Sequence, residues 1–250
     1  MGAMEHVGEI ADTTIELTDR ERERLARTAE MLPADAATCL EIGFKDQRVS
    51  SILARYDLVS IDLPGEAPAS ITHPLAFATI AALPFRDQSF DLAVCTEVLE
   101  HLEDDVLEDG VAELARVSRR HVLVSVPNRQ RVWNELSKCP SCGYVVNAMG
   151  HLHHFDEARL EQLFPAFRPV RYAMAGSTEG YAPDWLYWLR TRVGNAWHPC
   201  TWGCFRCGST TPSPPPNLIG KLAQRIVWRW EARAPRRPAF LFVLLERKDV

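Results

Sequence analysis

The stretch Ser89–Asn128, SFDLAVCTEVLEHLEDDVLEDGVAELARVSRRHVLVSVPN, most constrains what this chain can fold into. Phe90–Cys95 is a short apolar run that predicts a strand. Asp104–Ser118 carries helical spacing through Val106, Val111, Leu114 and Ala115, and His121–Val126 is apolar again and stopped by Pro127. Strand, helix and strand in that order make a βαβ unit, which implies a mostly parallel, twisted sheet covered on both faces. Ligands of such sheets bind outside the carboxyl ends of the strands, where Thr96, Glu97 and Asn128 fall.

The chain upstream supplies more of the same pattern. Thr18 is a good N-cap for DRERERLARTAEMLP, a charged helix with an apolar edge of Leu25, Ala29 and Leu32, ended by Pro33. Two readings of it stay open, a helix packed on the sheet and a lid over a ligand. Ala37–Gly43 predicts a strand, Gln47–Tyr56 a helix, Leu58–Leu63 a second strand, and Pro74–Ala82 holds a candidate third. Glu41 and Asp62 therefore end successive strands about twenty residues apart, the spacing of a nucleotide-binding βαβ unit. A carboxylate in the second position can accept both hydroxyl hydrogens of a ribose diol, although an acid at a strand end also serves as a helix cap or loop residue.

EIGFKDQRVS, SIDLP and ALPFRDQSFDLAVCTEVLEHL together resemble the class I S-adenosylmethionine-dependent methyltransferases, in particular the type 11 group, over Ala37–Asn128. The resemblance implies a Rossmann-like α/β fold, a mostly parallel sheet with a closing antiparallel strand and helices on both faces. It also implies roles for individual residues. Glu41 and Gly43 would shape the methionine end of the cofactor site, Phe44 would join the cofactor-binding residues, and Asp62 would hold the ribose hydroxyls. Leu63 and Ile80 would sandwich the adenine with Thr79 near its amino group, and Thr96 and Glu97 would line the floor beneath the sulfonium. The chain departs from the family where its first loop carries several glycines. Here it reads Gly43-Phe44-Lys45-Asp46-Gln47, and Lys45 and Gln47 are expected to narrow the pocket or reshape the turn. The pair Glu100-His101 has two readings, a loop buttress through hydrogen bonds and a part in catalysis.

Seven cysteines include two CxxC-Gly knuckles, Cys139-Pro-Ser-Cys142-Gly143 and Cys204-Phe-Arg-Cys207-Gly208. Two such pairs supply the four soft ligands that tetrahedral zinc prefers, and the 61 intervening residues, 143–203, need no fixed path. A four-thiolate site is closed, so the zinc would be structural. Cys200 and His198 are possible substitute ligands, and a redox CxxC is the alternative. Cys39 and Cys95 lie in apolar strands and read as inert core residues. Gly150-His151-Leu152-His153-His154-Phe155 matches a segment that follows the knuckle in some type 11 relatives. Histidine titrates near neutrality and suits a general base, so His151 first, by that resemblance, and His154 second are candidate catalytic residues. The bland alternatives are a solvated loop or zinc ligation.

Further on, Pro169–Ala175 predicts a strand, and Tyr181–Trp202 is rich in tryptophan, tyrosine and arginine. That composition fits either an acceptor-stacking surface or the core of a small subdomain. Pro212–Pro216 is a stiff break, Leu218–Ala232 a basic helix, and Ala239–Leu245 a last strand. The expected organisation is an N-terminal helical segment (1–35), a methyltransferase core (36–135, 150–176 and 237–250), and a zinc-binding insertion (136–149 and 177–236) that could form one wall of an acceptor pocket.

Composition enters as a filter on partners. A formal charge of −5 argues against a dedicated nucleic-acid binder, and no apolar run is long enough to span a membrane. No leader is evident, MGAM at the start reads as a cloning remnant, and paired thiols suit a reducing compartment, so the expected location is cytoplasmic. The sequence thus predicts an S-adenosylmethionine-dependent methyltransferase acting on a hydroxyl or amine of a small-molecule or glycosidic acceptor, with homodimerisation an open expectation. The alternatives are a catalytically silent binding or assembly module, and methylation of RNA or protein.

Overall fold

In the computed structural model, residues 17–44, 47–65, 71–199 and 203–248 are described. Met1–Met4, Lys45, Cys200 and Trp202 lie outside them. The elements are α1 (Asp19–Met31), β1 (Thr38–Ile42), α2 (Gln47–Leu53), β2 (Asp57–Asp62), β3 (Leu75–Phe77), β4 (Phe90–Thr96), α3 (Asp104–Val117) and β5 (Ser118–Pro127). They continue with β6 (Leu136–Lys138), β7 (Val145–Asn147), α4 (Glu157–Leu163), β8 (Phe167–Thr178), α5 (Asp184–Trp188), α6 (Leu218–Glu231) and β9 (Arg237–Arg247). They divide between two compact units. One comprises Met1–Asn128, Phe155–Gly176 and Pro238–Val250, the other Arg129–His154 and Ser177–Arg237.

The first unit is a seven-stranded sheet in the order β3-β2-β1-β4-β5-β9-β8. Strands β1 to β5 pair in parallel, and β9 runs antiparallel to β5. Period-two side chains explain why both faces are buried. Leu40 and Ile42 of β1, Ala93 and Cys95 of β4, and Leu241, Val243 and Leu245 of β9 join the core under α3 and α4. Their neighbours Cys39, Leu92, Val94, Phe240, Phe242 and Leu244 join the opposite core, under α1 and α2.

Local chemistry sets the element ends. α1 begins with a capping box. The Thr18 hydroxyl accepts from the Glu21 N–H at 3.3 Å, and the Glu21 carboxylate accepts from the Thr18 N–H at 2.8 Å. Asp156 caps α4 by a single bond, its carboxylate accepting from the Arg159 N–H at 2.9 Å. The helix expected through Tyr56 stops at Leu53, because the Tyr56 ring turns inward and its hydroxyl donates to the Pro33 carbonyl at 2.8 Å. The expected third strand over Pro74–Ala82 contracts to Leu75–Phe77, since Thr79–Ala82 closes a turn through the Ala82 N–H and Thr79 carbonyl at 3.1 Å.

The excursions into the second unit leave and re-enter the first at neighbouring residues. Asn128 bridges Phe155, and a Cβ on Gly176 would lie 3.0 Å from that of Ala239. The second unit contains the antiparallel β6–β7 hairpin and a small core of Ala182, Leu186, Tyr187, Ala223 and Val227. Its α5 runs on through a π turn (Leu189–Val193), whose following Gly194 meets Gly220 of α6 backbone to backbone. The aromatic segment serves this core only in part. Tyr187 is buried, with its hydroxyl donating to Glu231 at 2.5 Å, whereas Trp185 and Trp188 stay exposed.

Candidate active site and cysteine cluster

Parallel pairing brings the carboxyl ends of β1, β2, β3 and β4 to one edge of the sheet. Glu41, one residue from the end of β1, is buried, and its Oε2 accepts from the Ser50 hydroxyl of α2 at 2.7 Å and the Ser60 hydroxyl of β2 at 2.5 Å. This carboxylate thus ties the first helix and second strand to the first strand. Gly43 follows with φ +82°, and its N–H donates to the Ile61 carbonyl at 2.8 Å. A Cβ here would lie 2.9 Å from Val98 Cγ2, so both conformation and space call for glycine. Phe44 is buried, its ring 6.4 Å from that of Phe77. Gln47 is the first residue of α2.

Asp62 ends β2, with Oδ1 accepting from the Leu63 N–H at 2.7 Å. Leu63 beside it is 63% exposed, an apolar side chain left open to solvent at the strand ends. Thr79 lies two residues past β3 and accepts from the Ala81 N–H at 3.3 Å; Ile80 is buried where a Cβ on Gly110 of α3 would touch it. These residues thus border one edge. An acid, an exposed leucine, a glycine turn and a threonine hydroxyl suit a nucleoside with a charged tail.

Thr96 is the buried last residue of β4, and Glu97 follows with φ +55°. A non-glycine residue in that region is uncommon and carries strain. Glu97 is held there by its N–H donating to the Ser125 carbonyl and by the Ser125 hydroxyl donating to its Oε1, both at 2.9 Å. Burial raises the Glu97 carboxyl above the ordinary glutamate range, opposed by Arg24, the Ser125 hydrogen bond and Arg20. The two arginines come from α1, and their guanidinium groups stand 4.7 Å (Arg20) and 5.9 Å (Arg24) from the Phe240 ring. α1 therefore packs on the sheet through Leu25, Thr28 and Met31 while lending charge to Glu97. Nothing in the sequence singles out either arginine, since α1 is rich in charge throughout.

Glu100 is 1% exposed, in a 3₁₀ turn over Leu99–His101, and neither carboxylate oxygen has a hydrogen-bond partner. Burial and the neighbouring Glu97 push its carboxyl well up. The expected buttress by hydrogen bonds is thus not made by Glu100, whose burial beside Glu97 favours its protonated form and whose carboxylate lies within 4.8 Å of a ring nitrogen of His101.

In the second unit the two knuckles bring four thiols together. The Sγ atoms of Cys139, Cys142, Cys204 and Cys207 all lie within 4.8 Å of one another, with Cys139–Cys207 and Cys142–Cys204 both at 3.7 Å. Each knuckle is built alike. Gly143 and Gly208, with φ +74° and +68°, turn the chain so that their N–H groups donate to the Cys139 and Cys204 carbonyls at 2.9 and 2.8 Å. A disulfide needs about 2.05 Å between sulfurs, whereas a zinc tetrahedron with bonds of about 2.3 Å separates them by about 3.8 Å. The thiols therefore fit an ion between them. Backbone N–H groups of Cys142 and Ser141 draw the Cys139 thiol down to about 6, favouring thiolate. Cys39 and Cys95 are fully buried, and burial raises both thiols, as expected for inert core residues.

The histidine segment is organised by a residue the sequence did not mark. Gln130 meets His151 Nδ1 through its side-chain oxygen and accepts from His154 Nδ1 through its main-chain carbonyl at 2.8 Å. The His154 ring also faces Trp133 at 6.4 Å, and His153 is buried.

Residues 40–126 match the family model described as methyltransferase domain. No curated protein matches the chain. Among solved structures, the chain is similar to a methyltransferase-like protein of Bacillus halodurans, at 13% identity and a TM-score of 0.54 over 90% of this chain and 99% of that one. It is similar to the 1,6-didemethyltoxoflavin N1-methyltransferase of Burkholderia thailandensis, solved with 1,6-didemethyltoxoflavin and S-adenosylhomocysteine, at 13% identity and a TM-score of 0.51 over 90% and 78%. It is also similar to the [4+2]-cyclase SpnF, at 11% identity and a TM-score of 0.52 over 95% and 84%. The fold is that of the S-adenosylmethionine-dependent methyltransferases. The domain match and the shared fold support a methyltransferase that uses S-adenosylmethionine.

Proposed function

We propose that the chain transfers a methyl group from S-adenosylmethionine to a hydroxyl or amine of a small-molecule or glycosidic acceptor, and that a structural zinc ion holds its two cysteine knuckles. The observation that carries the cofactor reading is the strand-end edge itself, where a glycine turn at Gly43 and a half-buried acid at Asp62 close adjacent parallel strands. Asp62 would hold the ribose hydroxyls, Leu63 and Ile80 would flank the adenine with Thr79 at its amino group, and Glu41, Gly43 and Phe44 would bound the methionine end. Thr96 and Glu97 would form the floor. When bound, S-adenosylmethionine supplies an electrophilic methyl group on a sulfonium. The residues' contribution is to fix the donor and exclude water, so acceleration comes chiefly from proximity and orientation.

A hydroxyl acceptor needs a base, and His151 and His154 are the candidates. A ring that donates from Nδ1 to a carbonyl, as His154 does to Gln130, has Nε2 as the basic nitrogen of its neutral form. An amine acceptor needs less help because its neutral form is already nucleophilic. Support for a small acceptor comes from the Burkholderia protein, solved with a small heterocycle bound. The zinc, held by four thiolates, would be closed to substrate and serve folding.

The test is calorimetric titration of metal-replete protein with S-adenosylmethionine and with S-adenosylhomocysteine. Saturable one-to-one binding that Asp62→Ala abolishes is the expected result. A folded sample that binds neither would overturn the reading and favour the second one, a fold kept as a binding module. That second reading draws on Lys45 and Gln47 in the place of family glycines and on a cyclase sharing the fold. Methylation of RNA or protein would show instead as methyl incorporation into those polymers.

A further inference from the structure

Helix α6 is packed on one narrow side only. Gly220, Ala223 and Val227 face inward, Gly220 touching the backbone of Gly194 and the other two joining Ala182, Leu186 and Tyr187. The other side carries Leu218, Leu222, Ile226 and Trp230 at four-residue spacing, so they form one stripe along the helix. All four are exposed, Leu218 by 83% and Leu222 by 61%. Lys221, Arg225, Arg229 and Arg233 are exposed among and beside them. The one acid of the helix, Glu231, is engaged by the Tyr187 hydroxyl at 2.5 Å. Near the C-terminal end, Ile226, Arg229, Trp230, Arg233 and Ala234 line a groove of about 670 Å³.

This pairing of features narrows the partner. Nucleic acid would satisfy the arginines but leave leucine and isoleucine in water. A membrane span is excluded for this helix, since no described helix is long and apolar enough to cross one. A bilayer interface satisfies both sets of groups at once, because acyl chains cover the apolar stripe while lipid phosphates meet the cations and tryptophan sits at headgroup level. The net charge of −5 makes the attraction local to this helix. The expectation of no membrane contact rested on the lack of a spanning run, which says nothing of a helix lying flat.

We propose that α6 binds the surface of an anionic bilayer, its Leu218–Leu222–Ile226–Trp230 stripe entering the boundary between headgroups and acyl chains and its Arg229–Arg233 groove receiving a lipid phosphate. The proposal stands apart from the methyl-transfer reading and is tested without it. Full-length, metal-replete protein is floated with vesicles of phosphatidylcholine alone and with vesicles in which about a third of the lipid is phosphatidylglycerol. Binding is expected to the second only and to weaken as salt rises. Leu222→Asp should abolish it, and Arg225→Ala and Arg229→Ala should each lower the partition coefficient about fivefold, about 25-fold together. Circular dichroism confirms folding, and should Leu222→Asp fail to fold, the exposed arginine variants carry the test. No flotation with anionic vesicles would overturn the proposal, as would equal flotation with neutral ones or insensitivity to the arginine changes. A dimer in solution that Leu222→Asp dissolves, with no vesicle binding, would reassign the stripe to a second copy of the chain.

Discussion

Replacing Gly43 by alanine probes the turn on which the cofactor edge depends. The φ of +82° lies where an L-residue pays about 1–2 kcal/mol. The added Cβ would stand 2.9 Å from Val98 Cγ2. Val98 is only half-buried and can give way, so overpacking should add about 1 kcal/mol, the low end for crowded sites. The sum, about 2–3 kcal/mol, should appear as a lower urea midpoint at constant slope. In a Val98→Ala background the steric part vanishes and the backbone part stays, so the cost of Gly43→Ala should fall by about 1 kcal/mol. Calorimetry with S-adenosylhomocysteine should show affinity down by about tenfold or more in both backgrounds, since the methyl group and the shifted turn occupy the backbone's approach to the ligand. Unchanged stability together with unchanged affinity would refute this account of the turn.

Three further outcomes follow from the same contacts. Removing metal with a chelator should unfold the 129–154 and 177–237 unit, and Cys142→Ser should lower bound zinc below one ion per chain, both read by elemental analysis beside circular dichroism. Glu100→Gln should flatten the pH dependence of stability. A carboxyl raised in the folded state is protonated there while the unfolded chain has already ionised. Its contribution is therefore complete below the ordinary glutamate value and is lost as pH rises toward the raised one, by up to about 1.4 kcal/mol per pH unit. Wild type that gains stability between pH 5 and 7 relative to Glu100→Gln would contradict the upward shift of this carboxyl. Thr18→Ala should cost about 1 kcal/mol in thermal or urea unfolding by opening the capping box of α1.

Where a pattern is local and repetitive, the sequence was sufficient. Burial of β1, β4 and β9 on both faces follows from their continuous apolar runs, and caps such as Thr18 and Asp156 are read from one side chain and its i+3 partner. The cysteine knuckles were legible because a metal-like cluster needs only two local pairs, whatever the path between them. Other features depend on who the neighbours are. That Glu41 bonds Ser50 and Ser60 requires the register of β1 on β2, and that Arg20 and Arg24 reach Glu97 requires the placement of α1 over the sheet. Gln130 was missed for the same reason. An isolated glutamine after a strand has no signature until the two histidines fold back to it.

Several departures from local rules gather at the carboxyl edge of the sheet. Leu40, Val94, Leu123 and Phe242 obey pattern and burial throughout the sheet interior. At the carboxyl edge, by contrast, Gly43 needs a left-handed turn, Glu97 holds φ +55° without glycine, and Glu100 is buried with no hydrogen bond to its carboxyl oxygens. Strain and a buried, unbonded acid each cost stability, on the order of 1–3 kcal/mol. A fold under selection for stability alone would replace Glu97 with glycine and Glu100 with leucine, since neither change disturbs the core pattern. Strain and a buried, unbonded acid gathered where ligands of parallel sheets bind are what a working site looks like. The cluster therefore weighs against a bare scaffold. Double replacement of Glu97 by glycine and Glu100 by leucine should raise the unfolding midpoint while weakening or abolishing the response to S-adenosylmethionine. A variant both less stable and fully responsive would show that these acids serve the fold instead.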